Sequence, residues 1–326
     1  MHFRLVVLCM LSLLYACSDD ASPPAPEPTF IGSGACRDCH ETQYADWQGS
    51  HHDLAMQVAS ANTVLADFDA ATFKYFDTET RFLTRDGDFF VRTEDAAGEQ
   101  REFRVAYTFG VYPLQQYLVE TDAGRMQALP FTWDSRASEV GGQHWYHLYP
   151  DEYVGPGDPL FWTGRQQNWN YMCAECHSTD LQLNYDLALD SFDTTWSDID
   201  VGCEACHGPG AVHVHQAEIG RFSGDRGLAV DLDDRERAAW QMNLRTGIAE
   251  RSELLMRPPA QPEACGRCHA RRGLLAAEYE YGKPLADTHR VALLEGPLYF
   301  ADGQIREEVY VYGSFLQSRM YAAGVT

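Results

Sequence analysis

The chain has 326 residues, of which 45% are hydrophobic, and a formal net charge of −23. This apolar content supports one large or two medium packed units and excludes a globally disordered chain. The acidic balance argues against a nucleic-acid-binding role, because a phosphate backbone would be repelled, and it favours basic partners or simple solubility.

The N-terminus has the layout of an export signal. Residues 1–17, MHFRLVVLCMLSLLYAC, begin weakly basic, continue through about eleven apolar residues and end in LYAC. The ending resembles a bacterial lipoprotein box and predicts a lipid on Cys17, and an ordinary secretory signal cut near Ala16 is the alternative. Both interpretations predict export, to the periplasm or the outer membrane of a Gram-negative bacterium.

Residues 18–31 follow the signal and are rich in proline. The stretch SDDASPPAPEPTF contains four prolines and few apolar residues, which is typical of an extended tether. At the rise of polyproline the tether would reach roughly 40 Å. With a lipid on Cys17, it would hold the body of the protein away from the bilayer.

Eight of the ten cysteines fall into four CxxCH pentapeptides, and the other two belong to the predicted signal. In chain order, motifs one to four are CRDCH (36–40), CAECH (173–177), CEACH (203–207) and CGRCH (265–269). Two thiols at i and i+3 lie on one helical turn and can add to the two vinyl groups of one haem, while the next histidine reaches the iron. We therefore predict four covalently attached haems c.

Each motif supplies two thioether bonds and one proximal iron ligand. The predicted haem-binding cysteines are Cys36, Cys39, Cys173, Cys176, Cys203, Cys206, Cys265 and Cys268, and the predicted proximal ligands are His40, His177, His207 and His269. Structural zinc sites also use paired CxxC units, but they need no histidine after every second cysteine. A disulfide framework would leave the four identical spacings unexplained.

The gap between motifs one and two has the pattern of β-strands. Apolar residues alternate there, as at Phe103 and Val105, and the turn sequences RDGD, DAAGE and TDAGR interrupt them. We predict an antiparallel β-meander of four or five strands over 73–135, between a haem 1 segment at 32–72 and a haem 2–4 domain at 136–326. The predicted fold class is α+β, with a mainly helical or irregular multihaem core and this meander inserted in it.

Seven histidines remain as candidates for the distal side of the irons. We select His51, His147, His213 and His289, with His52, His144 and His215 as alternates and Met56 and Met320 as weaker candidates. On a helix about 200° separates His213 from His215, so at most one of them binds a given iron. His213 follows His207 by six residues and would reach a neighbouring haem more easily than the opposite face of its own.

With these motifs placed, the chain resembles the cytochrome c554-like multihaem family, and more closely exported multihaem cytochromes with tetratricopeptide repeats downstream. The resemblance covers nearly all of 30–326 and is carried by FIGSGACRDCH, WQGSHHDLAM, YTFGVYPLQQYLVE, DPLFWTGRQQNWNYMCAECHSTD, VGCEACHGPG and YGSFLQSRMYAAGVT. It implies distal ligation by His51 or His52 and by His213. Similar proteins continue after AAGVT into another CxxCH, so we expect a fragment or a shortened member.

The function that the motifs favour is electron transfer in the cell envelope through four mostly bis-histidine haems. The alternative is a multihaem oxidoreductase of hydroxylamine or nitrite type, in which one haem keeps an open coordination position. A third interpretation, compatible with the first, is a surface interaction protein whose β-insert docks a redox partner. The expected partners are redox proteins and, through Cys17, the membrane, and we expect an electron carrier rather than a catalyst.

Overall fold

The computed structural model describes residues 26–220, 226–232, 239–252, 260–276, 279–307 and 310–325. The predicted signal at 1–17, its Cys17, and residues 18–25 of the predicted tether lie outside the described residues. Among the described residues, no helix is both long and apolar enough to cross a membrane.

The helices are short and the strands are numerous. The helices are α1 Glu41–Trp47, α2 Trp169–Met172, α3 Ala174–His177, α4 Cys203–His207, α5 Ala211–Glu218, α6 Ala260–His269, α7 Tyr312–Leu316 and α8 Arg319–Ala322. The strands are β1 Met56–Val58, β2 Thr72–Tyr75, β3 Thr78–Arg85, β4 Asp88–Glu94, β5 Gln100–Phe109, β6 Leu114–Glu120, β7 Met126–Ala128, β8 Phe131–Asp134, β9 His144–His147, β10 Tyr185–Asp186, β11 Ser191–Phe192, β12 Trp240–Asn243, β13 Ile248–Arg251, β14 Arg272–Leu274 and β15 His289–Val291.

One large antiparallel sheet dominates the fold. Its strand order is β2-β3-β4-β5-β6-β8-β9, and two more strands join it where β1 pairs with β5 and β7 pairs with β6. The sheet curls until it is nearly closed. Within the described ranges, three separate two-stranded hairpins, β10–β11, β12–β13 and β14–β15, lie among the motif-bearing segments.

The strands form where inward and outward side chains alternate. In β4, Phe89, Val91 and Thr93 are buried while the residues between them are more exposed. The RDGD sequence turns the chain from β3 into β4, with positive φ at both Asp86 and Gly87. Two residues with positive φ make the tight turn whose twist matches the flanking strands, and Asp-Gly is a preferred pair for it.

The prediction of a mainly helical or irregular core is wrong. The structure is 23% helix and 27% strand, and the sheet extends from Met56 to His147. The physical reason is twofold. A CxxCH motif needs only one helical turn, so the motifs add little helix. Strand β8, Phe131–Asp134, is buried at every position and therefore shows no alternation of apolar and polar residues by which the sequence could reveal it.

Aromatic side chains fill the interior of the large sheet. The rings of Phe82 and Trp145 stack with centroids 3.6 Å apart, and Phe68 packs edge-on against both. Trp162, which precedes motif two in the chain, is 1% exposed and belongs to this same cluster. Edge-to-face and offset pairs of this kind add to the stability that burial alone provides.

A second buried cluster connects the sheet to motif two. Met56 and Leu118 from the sheet pack with Trp169 of α2 and Ala174 of α3. The side chain of Asn170 reinforces the contact, because its Oδ1 accepts the amide N–H of Met126 at 2.8 Å. The sheet is therefore the support against which motif two is held.

We predict that Phe82→Ala lowers the free energy of unfolding of the sheet by about 3–5 kcal/mol, because it removes a fully buried ring from a packed aromatic cluster. Urea unfolding followed by far-UV circular dichroism measures the change. The control is Phe76→Ala. The Phe76 ring is 48% exposed, so its removal should lower the free energy of unfolding by less than about 1.5 kcal/mol. Equal losses in the two variants would contradict this account of the core.

Candidate functional site

Each CxxCH motif lies on a single helical turn. Motif two forms α3 with its first cysteine as the N-cap, motif three forms α4, and motif four ends α6. In motif one, the amide N–H groups of Cys39 and His40 donate to the carbonyl oxygen of Cys36 at 3.3 and 3.0 Å. All four motifs thus hold their cysteines on one turn, and within the described residues these cysteines form no disulfide.

Motif four is packed closely against the C-terminal part of the chain. A Cβ atom on Gly266 would come within 2.7 Å of the Tyr312 ring and 2.8 Å of Leu285. No side chain fits in that space without displacement of its neighbours. The glycine after the first cysteine of motif four is therefore required by the approach of α6 to these two residues.

Cysteines from different motifs are neighbours in space. The side chains of Cys36 and Cys203 lie close enough to interact, as do those of Cys176 and Cys268, and Cys206 interacts electrostatically with Cys265. The motifs therefore follow one another in space in the order one, three, four, two, although they occur in another order along the chain. Burial raises the pKa of Cys206 to about 11, so this thiol is protonated at neutral pH.

A buried carboxylate joins the segment before motif one to motif three. Glu204, the second residue of motif three, is 2% exposed and accepts the backbone N–H groups of Ile31 at 3.0 Å and Gly32 at 2.7 Å. It also accepts the N–H of Gly210 at 2.7 Å, on the turn that leads into α5. One side chain thus connects three stretches of backbone.

Asp198 and Ser33 form a second connection between the same segments. The Asp198 carboxylate accepts both the backbone N–H and the hydroxyl of Ser33 at 2.9 Å. The Ser33 oxygen in turn accepts the N–H of Cys203 at 2.8 Å. The entry to motif one is therefore hydrogen-bonded directly to the first residue of motif three.

Two histidines are held in the tautomer that metal ligation through Nε2 needs. The Nδ1 atom of His207 lies 3.0 Å from the carbonyl oxygen of Val230, and Nδ1 of His213 lies 2.6 Å from that of Arg226. A carbonyl oxygen only accepts, so Nδ1 must carry the proton in both rings. The lone pair of each neutral ring is then on Nε2, as in histidine ligands whose other nitrogen donates to the backbone.

Two pairs of histidines have the spacing of axial ligands on opposite sides of one iron. The ring centroids of His40 and His213 are 6.0 Å apart, and those of His52 and His269 are 6.1 Å apart. With metal–nitrogen bonds of about 2 Å, two imidazoles across one metal ion have centres about 6 Å apart. Thiols, tautomers and ring spacing all fit covalently bound haem, the group that the motifs imply.

The sheet contains two of the sequence-predicted distal ligands. His147, at the end of β9, is 4% exposed and stacks on Tyr75 with centroids 3.6 Å apart. Its Nδ1 accepts the N–H of Tyr149 at 3.0 Å, so the neutral ring has its proton on Nε2, and burial lowers its pKa to about 4. His144 is exposed at the start of the same strand. Neither is brought beside a motif histidine.

His289 lies beside Glu175 of motif two rather than across from a motif histidine. It is 1% exposed, and its Nε2 is 3.1 Å from Oε1 of Glu175, the third residue of motif two. Its Nδ1 is 2.9 Å from the hydroxyl of Thr288. The motif-two histidine, His177, is itself half-buried, and burial lowers its pKa.

The other distal candidates lie away from such pairs. His51 is exposed, next to the His52 that faces His269. His215 is on α5, two residues after His213. Met56 is in the cluster between the sheet and motif two, and Met320 is 51% exposed on α8. All of these ligand assignments remain predictions.

The spacing of the motifs assigns no role to three residues whose contacts hold the motifs together: Glu204 and Glu175, which lie within motifs three and two, and Arg272, which follows motif four. The two glutamates occupy the variable positions of CEACH and CAECH, where the spacing argument assigns no role. The sequence does mark these positions, because in both motifs the two residues between the cysteines are one glutamate and one alanine.

We predict that Glu204→Gln loosens the connection between motifs one and three. An amide in place of the carboxylate turns an NH₂ group toward backbone donors, and a buried donor left without an acceptor costs about 1–3 kcal/mol. Hydrogen exchange should therefore be faster at Ile31, Gly32 and Gly210. The control, exposed Glu280→Gln, should exchange like the parent. Unchanged protection in Glu204→Gln would contradict the role given to this carboxylate.

Comparison with known proteins matches the segments that carry the first three motifs. The family profile described as cytochrome c554 and c-prime matches residues 35–75 and 162–208, which include motifs one, two and three. A search of curated proteins finds no match.

Two solved structures resemble the chain. One is the outer cell wall cytochrome OcwA, with a TM-score of 0.53 and 18% identity over 88% of this chain and 51% of that one. The other is an undecahaem cytochrome from the S-layer of Carboxydothermus ferrireducens, with a TM-score of 0.38 and 17% identity over 80% of this chain and 30% of that one. The chain spans about half the length of OcwA.

The profile match confirms the resemblance drawn from the CxxCH segments, and the likeness to OcwA extends to the fold. Over the matched segments the chain thus resembles the cytochrome c554-like multihaem family.

Proposed function

We propose that the chain binds four haems c and passes single electrons between them in the bacterial cell envelope. The observation that carries the proposal is the pair of histidine spacings, 6.0 and 6.1 Å, each of which joins a motif histidine to a histidine outside the motifs. An iron closed by two imidazoles binds no substrate, and this favours electron transfer over chemistry at the metal.

The proposed distal ligands are His213 for the haem of motif one and His52 for the haem of motif four. His213 lies on α5, directly after motif three, so its ligation would join two haem segments. The spacing to His269 favours His52 over His51. For the haems of motifs two and three the proximal ligands are His177 and His207, and the distal candidates are His147 and His289, with His144 as the alternate.

When bound, each haem supplies an iron that accepts and releases one electron. The residues of the chain attach it, fix its axial imidazoles and set its surroundings. The proximity of cysteines in motifs one and three, three and four, and four and two supports an electron path in that order. Close packing of successive attachment turns is what single-electron transfer between haems needs.

We also propose an exported location, because covalent haem attachment takes place outside the cytoplasm and the N-terminus has the layout of a signal. The same proposal includes membrane attachment through a lipid on Cys17. It also includes donor and acceptor proteins as redox partners. OcwA, whose fold the chain resembles, is an outer cell wall cytochrome, and this supports an envelope role.

The first test is haem content and spin state. A pyridine haemochrome assay should give four haems per chain, and electron paramagnetic resonance of the oxidised protein should be dominated by low-spin signals. A haem count below four would contradict the attachment proposal. A large high-spin component that binds nitric oxide or hydroxylamine would instead favour the oxidoreductase.

We predict that His213→Ala converts about one haem in four to high spin, because the iron of motif one loses its distal imidazole. His215→Ala, two residues further along the same helix, is the matched control and should leave the spectra unchanged. Optical and paramagnetic resonance spectra measure both. A high-spin signal from the control alone would reverse the assignment.

His52→Ala and His51→Ala form a second matched pair. We expect the first to give one high-spin haem, at motif four, and the second to remain low-spin, because only His52 faces His269 at the spacing of an axial pair. The opposite result would assign His51 as the ligand, and no change in either variant would exclude both.

A further inference from the structure

We propose that Arg272, with Arg267 and Glu175, forms a buried charged cluster that raises the reduction potential of the haem attached by motif two. The inference rests on the proposed function, since it concerns the haem that Cys173 and Cys176 would hold. It adds a role for side chains that neither attach the haem nor bind its iron.

Arg272 contacts motif two directly. Its side chain is 11% exposed, and its Nη2 atom lies 3.0 Å from Oε2 of Glu175 and 3.5 Å from Sγ of Cys176. Its Nε donates to the carbonyl oxygen of Arg267 in motif four. The guanidinium is therefore beside a sulfur that would form a thioether bond to the haem, at the junction of motifs two and four.

Arg267 brings a second buried charge to the same junction. It is the third residue of motif four, its side chain is 11% exposed, and its Nη1 donates to the hydroxyl of Tyr281 at 2.7 Å. The guanidinium carbon lies 5.0 Å from the ring centre of Tyr279 and 5.4 Å from that of Tyr281. Aromatic faces stabilise the cation where water is excluded.

Glu175 is the anion at the centre of the cluster. Its carboxylate is 3.0 Å from Arg272, 3.8 Å from Nε of Arg267 and 3.1 Å from Nε2 of His289. Two guanidinium groups and one carboxylate leave at least one net positive charge, whatever the protonation of His289. The hairpin β14–β15 carries both Arg272 and His289, so one element brings two of the four groups to motif two.

A net positive charge beside a haem favours the reduced state, because reduction adds one negative charge to the group. The effect is large for this cluster, since buried charges are screened little by water and salt. Arg271, the preceding residue, is exposed. A charge in that position is screened and should influence the haem weakly.

The test is a spectroelectrochemical titration of the holoprotein. Arg272→Gln should lower the reduction equilibrium constant of one haem about tenfold, equivalent to about 59 mV for one electron. Arg272→Lys should restore most of the difference, and Arg271→Gln is the matched control for total charge. A titration of Arg272→Gln that matches the parent, or an equal shift in Arg271→Gln, would overturn the inference.

Glu175→Gln separates an electrostatic role from a structural one. It removes the negative charge of the cluster and should shift the same haem to a higher potential, opposite to Arg272→Gln. Shifts in the same direction in both variants would indicate loosened packing and would overturn the inference. Haem content is measured alongside, since fewer than four haems in the parent contradicts the proposed function, whereas unshifted potentials in the variants contradict this inference alone.

Discussion

The haem-binding region depends on one buried carboxylate, that of Glu204. It accepts hydrogen bonds from the backbone N–H groups of Ile31, Gly32 and Gly210. The helices that carry motifs two, three and four have four, five and ten residues, and helices of such lengths are not stable alone in water. Long-range contacts must therefore hold each attachment turn. A carboxylate suits this task, because it accepts several N–H groups at once and is strongly disfavoured when they leave it unpaired inside the protein.

The large sheet provides the same support by another means. Its interior is closed by aromatic packing, and its second face buries Trp169 and Ala174, so motif two rests on apolar surface and on the amide of Asn170. Motif two then meets motif four through Glu175 and two buried arginines. Apolar burial thus holds motif two against the sheet, and charged hydrogen bonds hold motif four against motif two.

The sequence predicted what depends on local spacing. The four CxxCH turns and the tight Asp86-Gly87 turn follow from residues a few positions apart. The extent of the sheet did not, because β1 pairs with β5 across about fifty residues and β8 shows no alternation. The choice between His51 and His52 also lies beyond local pattern, since it depends on which adjacent ring the fold turns toward His269. Glu204 and Glu175 escaped notice because the motif leaves their positions undefined.

The spatial order of the motifs has a consequence for how such a protein can change over evolution. The sheet is inserted in the chain between motifs one and two, which stand at the two ends of the spatial series, while motifs three and four occupy its middle. Loops of the sheet can therefore lengthen, shorten or acquire new surfaces without altering the spacing between successive attachment turns. The fold thereby separates the arrangement of the attachment turns from the loops of the sheet, which are free to diversify.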